Sequence, residues 1–100
     1  MKINISRESN TITVYFSGRL DTPAAQEITP QMNALAEEAS NIIILDCSEL
    51  TYISSSGLRI FLMLRKAAAE KGGKIIVRGI TNDIRSVFMM TGFLNLFEIH

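Results

Sequence analysis

The sequence predicts an α/β fold, a sheet and helices alternating within one domain over residues 1–100. Three observations carry this. Ile42-Ile43-Ile44-Leu45 is a continuous branched run, the length of a strand and short for a helix. Residues 22–39 and 56–71 carry apolar side chains at helical spacing. Further β-branched runs at 11–16 and 75–77 alternate with those helices, and such alternation through short connections builds layered α/β domains. A chain of 100 residues, 47% of them hydrophobic, fills one modest core.

Residues 2–6 alternate apolar and polar, and Thr11 to Phe16 is branched and aromatic, so the two runs are expected to pair as a hairpin turning at Arg7 to Asn10. Asp21 or Thr22 can cap the next helix, with Pro23 in its first turn. Ala24, Ile28, Met32, Leu35 and Ala39 then share a face. Pro30 interrupts that pattern, and a kink or restart is expected there. The run at 42–45 follows. Its unbroken apolarity predicts a central strand covered on both faces. It ends at Asp46, and a loop is expected over 49–53.

Residues 56–71 have the clearest helical pattern. Leu58, Phe61, Leu62, Leu64, Ala68 and Ala69 form the apolar face, with Arg65 inside that arc and its stem free to snorkel outward. Gly72-Gly73 stops the helix, and a strand at 74–78 completes a right-handed βαβ unit. Thr81 is placed as the cap of a last helix closed by Gly92. Met89 and Met90 are read as core filler with one exposed edge. Residues 95–99 supply a final edge strand.

Charge and composition exclude several classes. Formal net charge is zero, so neither nucleic acid nor an acidic membrane has a bulk electrostatic reason to bind. Three basic residues face seven acidic ones in the first half, and the ratio inverts in the second, which predicts surface patches. Tyr15 and Tyr52 are isolated and form no stacking stripe. No long apolar stretch follows Met1, and none approaches bilayer length, so a cytoplasmic domain without membrane insertion is expected. Cys47 is the only cysteine; it excludes an internal disulfide and reads as an inert thiol. The only histidine is the terminal His100, no nucleophile elbow or phosphate loop is present, and no metal-ligand spacing occurs. Neither catalysis, nor a cofactor, nor a metal is expected.

The stretch that carries chemistry is Ser54-Ser55-Ser56-Gly57, at the start of the helix. Ser54 or Ser55 can cap the helix N–H groups. Alternatively, an exposed hydroxyl there can carry a phosphate, which the helix N-terminus stabilises. Asp46, at the end of the central strand, is expected close to this junction. Asp21 is a second acid at a strand–helix boundary, either a cap or a contact. Arg59, Met63 and Lys66 lie along one side of the helix, as solvated cover or as partner contacts.

Gly18-Arg19-Leu20-Asp21, Leu45-Asp46-Cys47-Ser48, Ile53 to Leu58 and Thr91-Gly92-Phe93 stand in the order of a STAS domain, and together they resemble the stand-alone bacterial anti-sigma factor antagonists. The resemblance implies a mixed sheet of about four to five strands with helices mainly on one side. It implies a binding partner, an anti-sigma factor with serine-kinase activity, and a serine phosphatase that reverses the modification. The acceptor serine falls on Ser55, with Ser54 and Ser56 behind it. Asp21, Asp46, Ser55, Ser56 and Gly57 match family positions, and the binding face is then expected to be this junction, Ser54 included, plus the adjoining helix side with Arg59, Met63 and Lys66. Where the family has an aspartate before the acceptor, this chain has Ser54, which hydrogen-bonds but brings no charge. That departure also fits a constitutive STAS scaffold or an accessory subunit of a signalling or lipid-transport complex.

Overall fold

The computed structural model describes all residues, 1–100. Strand β1 (Lys2–Glu8) turns into β2 (Thr11–Leu20); helix α1 (Thr22–Ala36), strand β3 (Ile42–Ile53), helix α2 (Ser55–Lys71), strand β4 (Lys74–Arg78), helix α3 (Asn82–Thr91), a short 3-10 turn and strand β5 (Glu98–Ile99) follow. The five strands lie in chain order, β1-β2-β3-β4-β5. β1 runs antiparallel to β2, and the remaining pairs are parallel. Each parallel crossover steps the same way across the sheet. Right-handed connections that all step one way put every helix on one face.

Burial agrees with that layering. Ile12, Val14 and Phe16 on β2, Ile43, Leu45 and Cys47 on β3, and Ile75 and Val77 on β4 are buried, as strand alternation requires of one face. Against them pack Met32 and Leu35 of α1, Phe61 and Leu64 of α2 and Phe88 of α3, with Phe61 meeting Phe16, Phe88 and Phe97 at ring-centroid distances of 5.5–6.3 Å. The opposite face carries Thr13, Tyr15, Ile44, Ile76 and Arg78 and has no helix over it. The central strand is therefore covered on one face only, against the expectation from its continuous apolarity. Ile44 lies between Thr13 and Ile76 in the register, so its neighbours shield it in place of a second layer.

Other expectations are corrected in detail. The predicted loop at 49–53 is strand: β3 continues to Ile53, pairing Leu50 with Gly18 and Ile53 with Leu20 past two register shifts. Leu50 and Ile53 are buried, while the exposed Glu49, Thr51 and Tyr52 gave the stretch its loop-like composition. Helix α1 is one continuous element despite Pro30. Pro30 and Gln26 are both exposed, so water can satisfy the carbonyl that the proline leaves unpaired. The helix ends at Ala36, and Ala39 is buried from the turn beyond it. On α2 the buried side includes Ile60, whereas Leu62 and Ala69 are exposed. Arg65 does reach outward, its Nε donating to the Leu96 carbonyl at 2.8 Å. Met89 and Met90 are exposed, not core filler, because α3 buries only Ile84 and Phe88. The last strand is shorter than predicted, since Phe93–Asn95 forms the 3-10 turn.

Candidate functional site: the serine junction

β2 and β3 end side by side, Leu20 opposite Ile53, and each feeds a helix directly. The N-termini of α1 and α2 therefore open at the same edge of the molecule. Asp21 caps α1, its Oδ1 accepting from the Ala24 N–H at 3.0 Å. Ser54 caps α2, its Oγ accepting from the Gly57 N–H at 3.2 Å. The same hydroxyl donates to the Leu20 carbonyl at 2.9 Å, and the Ser54 N–H donates to that carbonyl too, also at 2.9 Å. Ser54 thus ties the end of β2 to the start of α2, and it is buried.

The three serines divide the work. Ser54 is the cap. Ser56 is half-buried, its Oγ 3.5 Å from the Thr22 hydroxyl on the first turn of α1. Ser55 is exposed, and no hydrogen bond within the chain engages its hydroxyl. Gly57 is buried because nothing larger fits: a Cβ there would stand 2.8 Å from Leu20 Cγ and 2.9 Å from Ile53 Cγ1. Ser54 and Gly57 therefore shape the junction from below, and neither lies on its surface. The resemblance implied a place for both on a binding face, and a motif match does not separate a cap or a close-packed glycine from an exposed contact.

Arg59 is exposed one helical turn beyond Ser55, at the i+4 position on the same face. Arg59 and Met63 line one wall of a groove of about 280 Å³; Gln26, Thr29 and Asn33 of α1 line the other. Lys66 is exposed a turn further on. The α1 wall was not anticipated, although 26, 29 and 33 have the spacing of one helix edge and carry uncharged polar side chains.

Asp46 is not part of this arrangement. β3 runs seven residues past it to Ile53, roughly 20 Å at the usual strand rise. Its side chain belongs to the helix-free face of the sheet. There Asp46 Oδ2 accepts from Arg78 Nε at 2.8 Å and Oδ1 accepts from the Ser48 hydroxyl at 2.6 Å and the Ser48 N–H at 3.0 Å. Burial pushes its carboxyl up, but the Ser48 hydrogen bond and the Arg78 guanidinium outweigh that, and its pKa is lowered. Arg78 also reaches the Tyr15 hydroxyl at 3.4 Å. Asp46 is a sheet-bracing ion pair, and its expected proximity to the serines fails because the strand does not end there.

Beside it, the Cys47 thiol is buried, and desolvation with the neighbouring Asp46 charge pushes its pKa up to about 12. His100 pairs with Glu98 beside the β5 edge, on the far side of β4 from the strands that end at the serines. No helix is long and apolar enough to cross a membrane.

The architecture is an α/β layer that leaves one serine hydroxyl free where two helices begin. The STAS domain matches residues 2–100, and the chain belongs to that family. It is 22% identical over 99 residues to the anti-sigma-B factor antagonist of Bacillus subtilis, a match covering 99% of this chain and 90% of that one. Two solved structures share the fold. The STAS domain protein of Planctomyces limnophilus superposes with a TM-score of 0.88 at 16% identity, covering 98% of this chain and 87% of the other. The phosphorylated form of the Bacillus cell fate determinant SpoIIAA superposes with a TM-score of 0.76 at 19% identity, covering 99% and 91%.

Proposed function

We propose that this STAS domain is an anti-sigma factor antagonist, a binding protein and not an enzyme, whose junction face docks an anti-sigma factor with serine-kinase activity. Phosphorylation of Ser55 releases that partner, and a serine phosphatase restores binding. The observation that carries the reading is Ser55 itself: the neighbouring Ser54 is consumed as a buried cap, which leaves Ser55 exposed with its hydroxyl unengaged. Relatives named as anti-sigma factor antagonists support the class of partner.

The electrostatics favour a switch that leaves the fold intact. A phosphoserine carries about −1.5 to −2 charges near pH 7. At position 55 it meets the positive end of α2, the neighbouring start of α1, and Arg59 one turn away. The domain tolerates the charge, while a partner seated over Ser55, Ser56, Arg59, Met63 and Lys66 meets an anion where it had met a neutral hydroxyl. Asp21, half-exposed at its cap, sits at the α1 edge of the same face. A constitutive scaffold is the second reading, and the uncharged Ser54 beside the acceptor favours it.

The test is capture of the partner from the protein's own cells with three baits: wild type, Ser55→Ala and Ser55→Glu. An ATP-binding anti-sigma factor held by wild type and Ser55→Ala, lost from Ser55→Glu, and able to phosphorylate wild type but not Ser55→Ala in purified form supports the switch. Equal capture of one partner by all three baits establishes the scaffold instead.

A further inference from the structure

The two edges of the sheet are not alike. β5 is two residues long, and so short an edge offers little to pair with. β1 is seven residues long, and its register to β2 runs without a shift from Lys2↔Ser17 to Glu8↔Thr11. It contains no proline and no bulge, two of the devices that usually blunt an edge. Its inward-facing Ile3 and Ile5 are only half-buried, because the helices do not reach fully over this side.

The backbone of β1 can be placed from its hairpin. A loop of two residues, Ser9 and Asn10, joins the strands, with Ser9 at φ 53. Such a loop closes on a hydrogen-bonded pair, here Glu8 and Thr11, and hydrogen-bonded pairs then alternate along the ladder. Lys2, Asn4, Ser6 and Glu8 bond to β2. Ile3, Ile5 and Arg7 direct their N–H and C=O groups away from the sheet.

We propose that β1 pairs antiparallel with β1 of a second copy, forming a two-fold dimer with one continuous ten-stranded sheet. One register uses the whole strand. Ile5 lies opposite the partner's Ile5 on the two-fold axis, and Ile3 lies opposite the partner's Arg7. All three outward-directed residues then meet outward-directed residues. The same register puts Lys2 opposite the partner's Glu8, twice by symmetry and on the same face of the sheet. Neither Lys2 nor Glu8 has an ion-pair partner within its own chain, whereas Arg7 is held by Glu38 at 2.7 Å. The half-covered isoleucines of the two copies become neighbours across the axis. Complementary charge, hydrogen-bond parity and incomplete apolar cover select one occupant, the chain itself.

Sedimentation velocity from micromolar to millimolar protein tests this, with hydrogen exchange on the same samples. A species of twice the 11.1 kDa chain mass is expected to grow with concentration. The Ile3, Ile5 and Arg7 amides should gain protection as it forms. Lys2→Glu or Glu8→Lys alone sets like charges face to face twice, and each should weaken dimerisation about tenfold. The double exchange K2E/E8K should restore it. Circular dichroism confirms that each variant is folded. A monomer at every concentration with those amides exchanging freely overturns the proposal. So does a dimer indifferent to both single variants, or one that the double exchange fails to restore.

Discussion

Replacing Ser54 by alanine separates the cap from the acceptor. The hydroxyl makes two hydrogen bonds, one accepted from the Gly57 N–H and one donated to the Leu20 carbonyl. Losing an N-cap serine costs about 1 kcal/mol. Losing the second bond adds up to about 1 kcal/mol, held down because the Ser54 N–H still satisfies the Leu20 carbonyl. Ser54→Ala is therefore expected to lose about 1–2 kcal/mol in urea unfolding followed by circular dichroism, with m unchanged. In a domain of this size that lowers Tm by roughly 5–15 °C. The Gly57 amide should also exchange faster in the native state. Ser55→Ala, which breaks no bond within the chain, should stay within about 0.5 kcal/mol of wild type. If Ser54→Ala were neutral, or Ser55→Ala cost as much, the division of labour between the two serines would be wrong.

Gly57→Ala drives a methyl into Leu20 and Ile53 and should destabilise by about 1–2 kcal/mol in the same assay, overpacking exceeding the gain in helix propensity. Asp46 titrates below its unfolded value, so its contribution to stability is present above about pH 4 and is lost as pH falls through the folded pKa. Thermal melts of Asp46→Asn should accordingly show a lower Tm at pH 7 and a smaller fall between pH 5 and 3 than wild type. The Cys47 thiol should not react with a water-soluble disulfide reagent at pH 8 in the native state, and should react fully in denaturant; rapid native labelling, read by absorbance, would contradict its burial.

The helices were readable because capping and stopping are local. Thr81 accepts from the Ile84 N–H, and Gly72 and Gly92 adopt left-handed caps where the sequence puts them. The hairpin and the βαβ unit followed from period and length. The second half of β3 was hidden: Leu50 and Ile53 are spaced three apart across an irregular ladder, and strict alternation fails there. Pro30 misled because its local penalty is real, but its solvent-facing position lets the helix absorb it. Within the site, the type of junction was legible, since three serines before a glycine mark a helix start. Which serine turns inward was not, because that depends on Leu20, a residue 34 positions away. The position of Asp46 has the same origin, since it depends on the pairing that carries β3 on to Ile53 opposite Leu20.

The most direct measurement is intact mass and site mapping of the protein purified from its own cells, in growth and under stress. One phosphate on Ser55, rising or falling between the two conditions and absent from Ser55→Ala, is the expected result. A protein that stays unmodified in both conditions, or carries its phosphate on another residue, would contradict Ser55 as the switch.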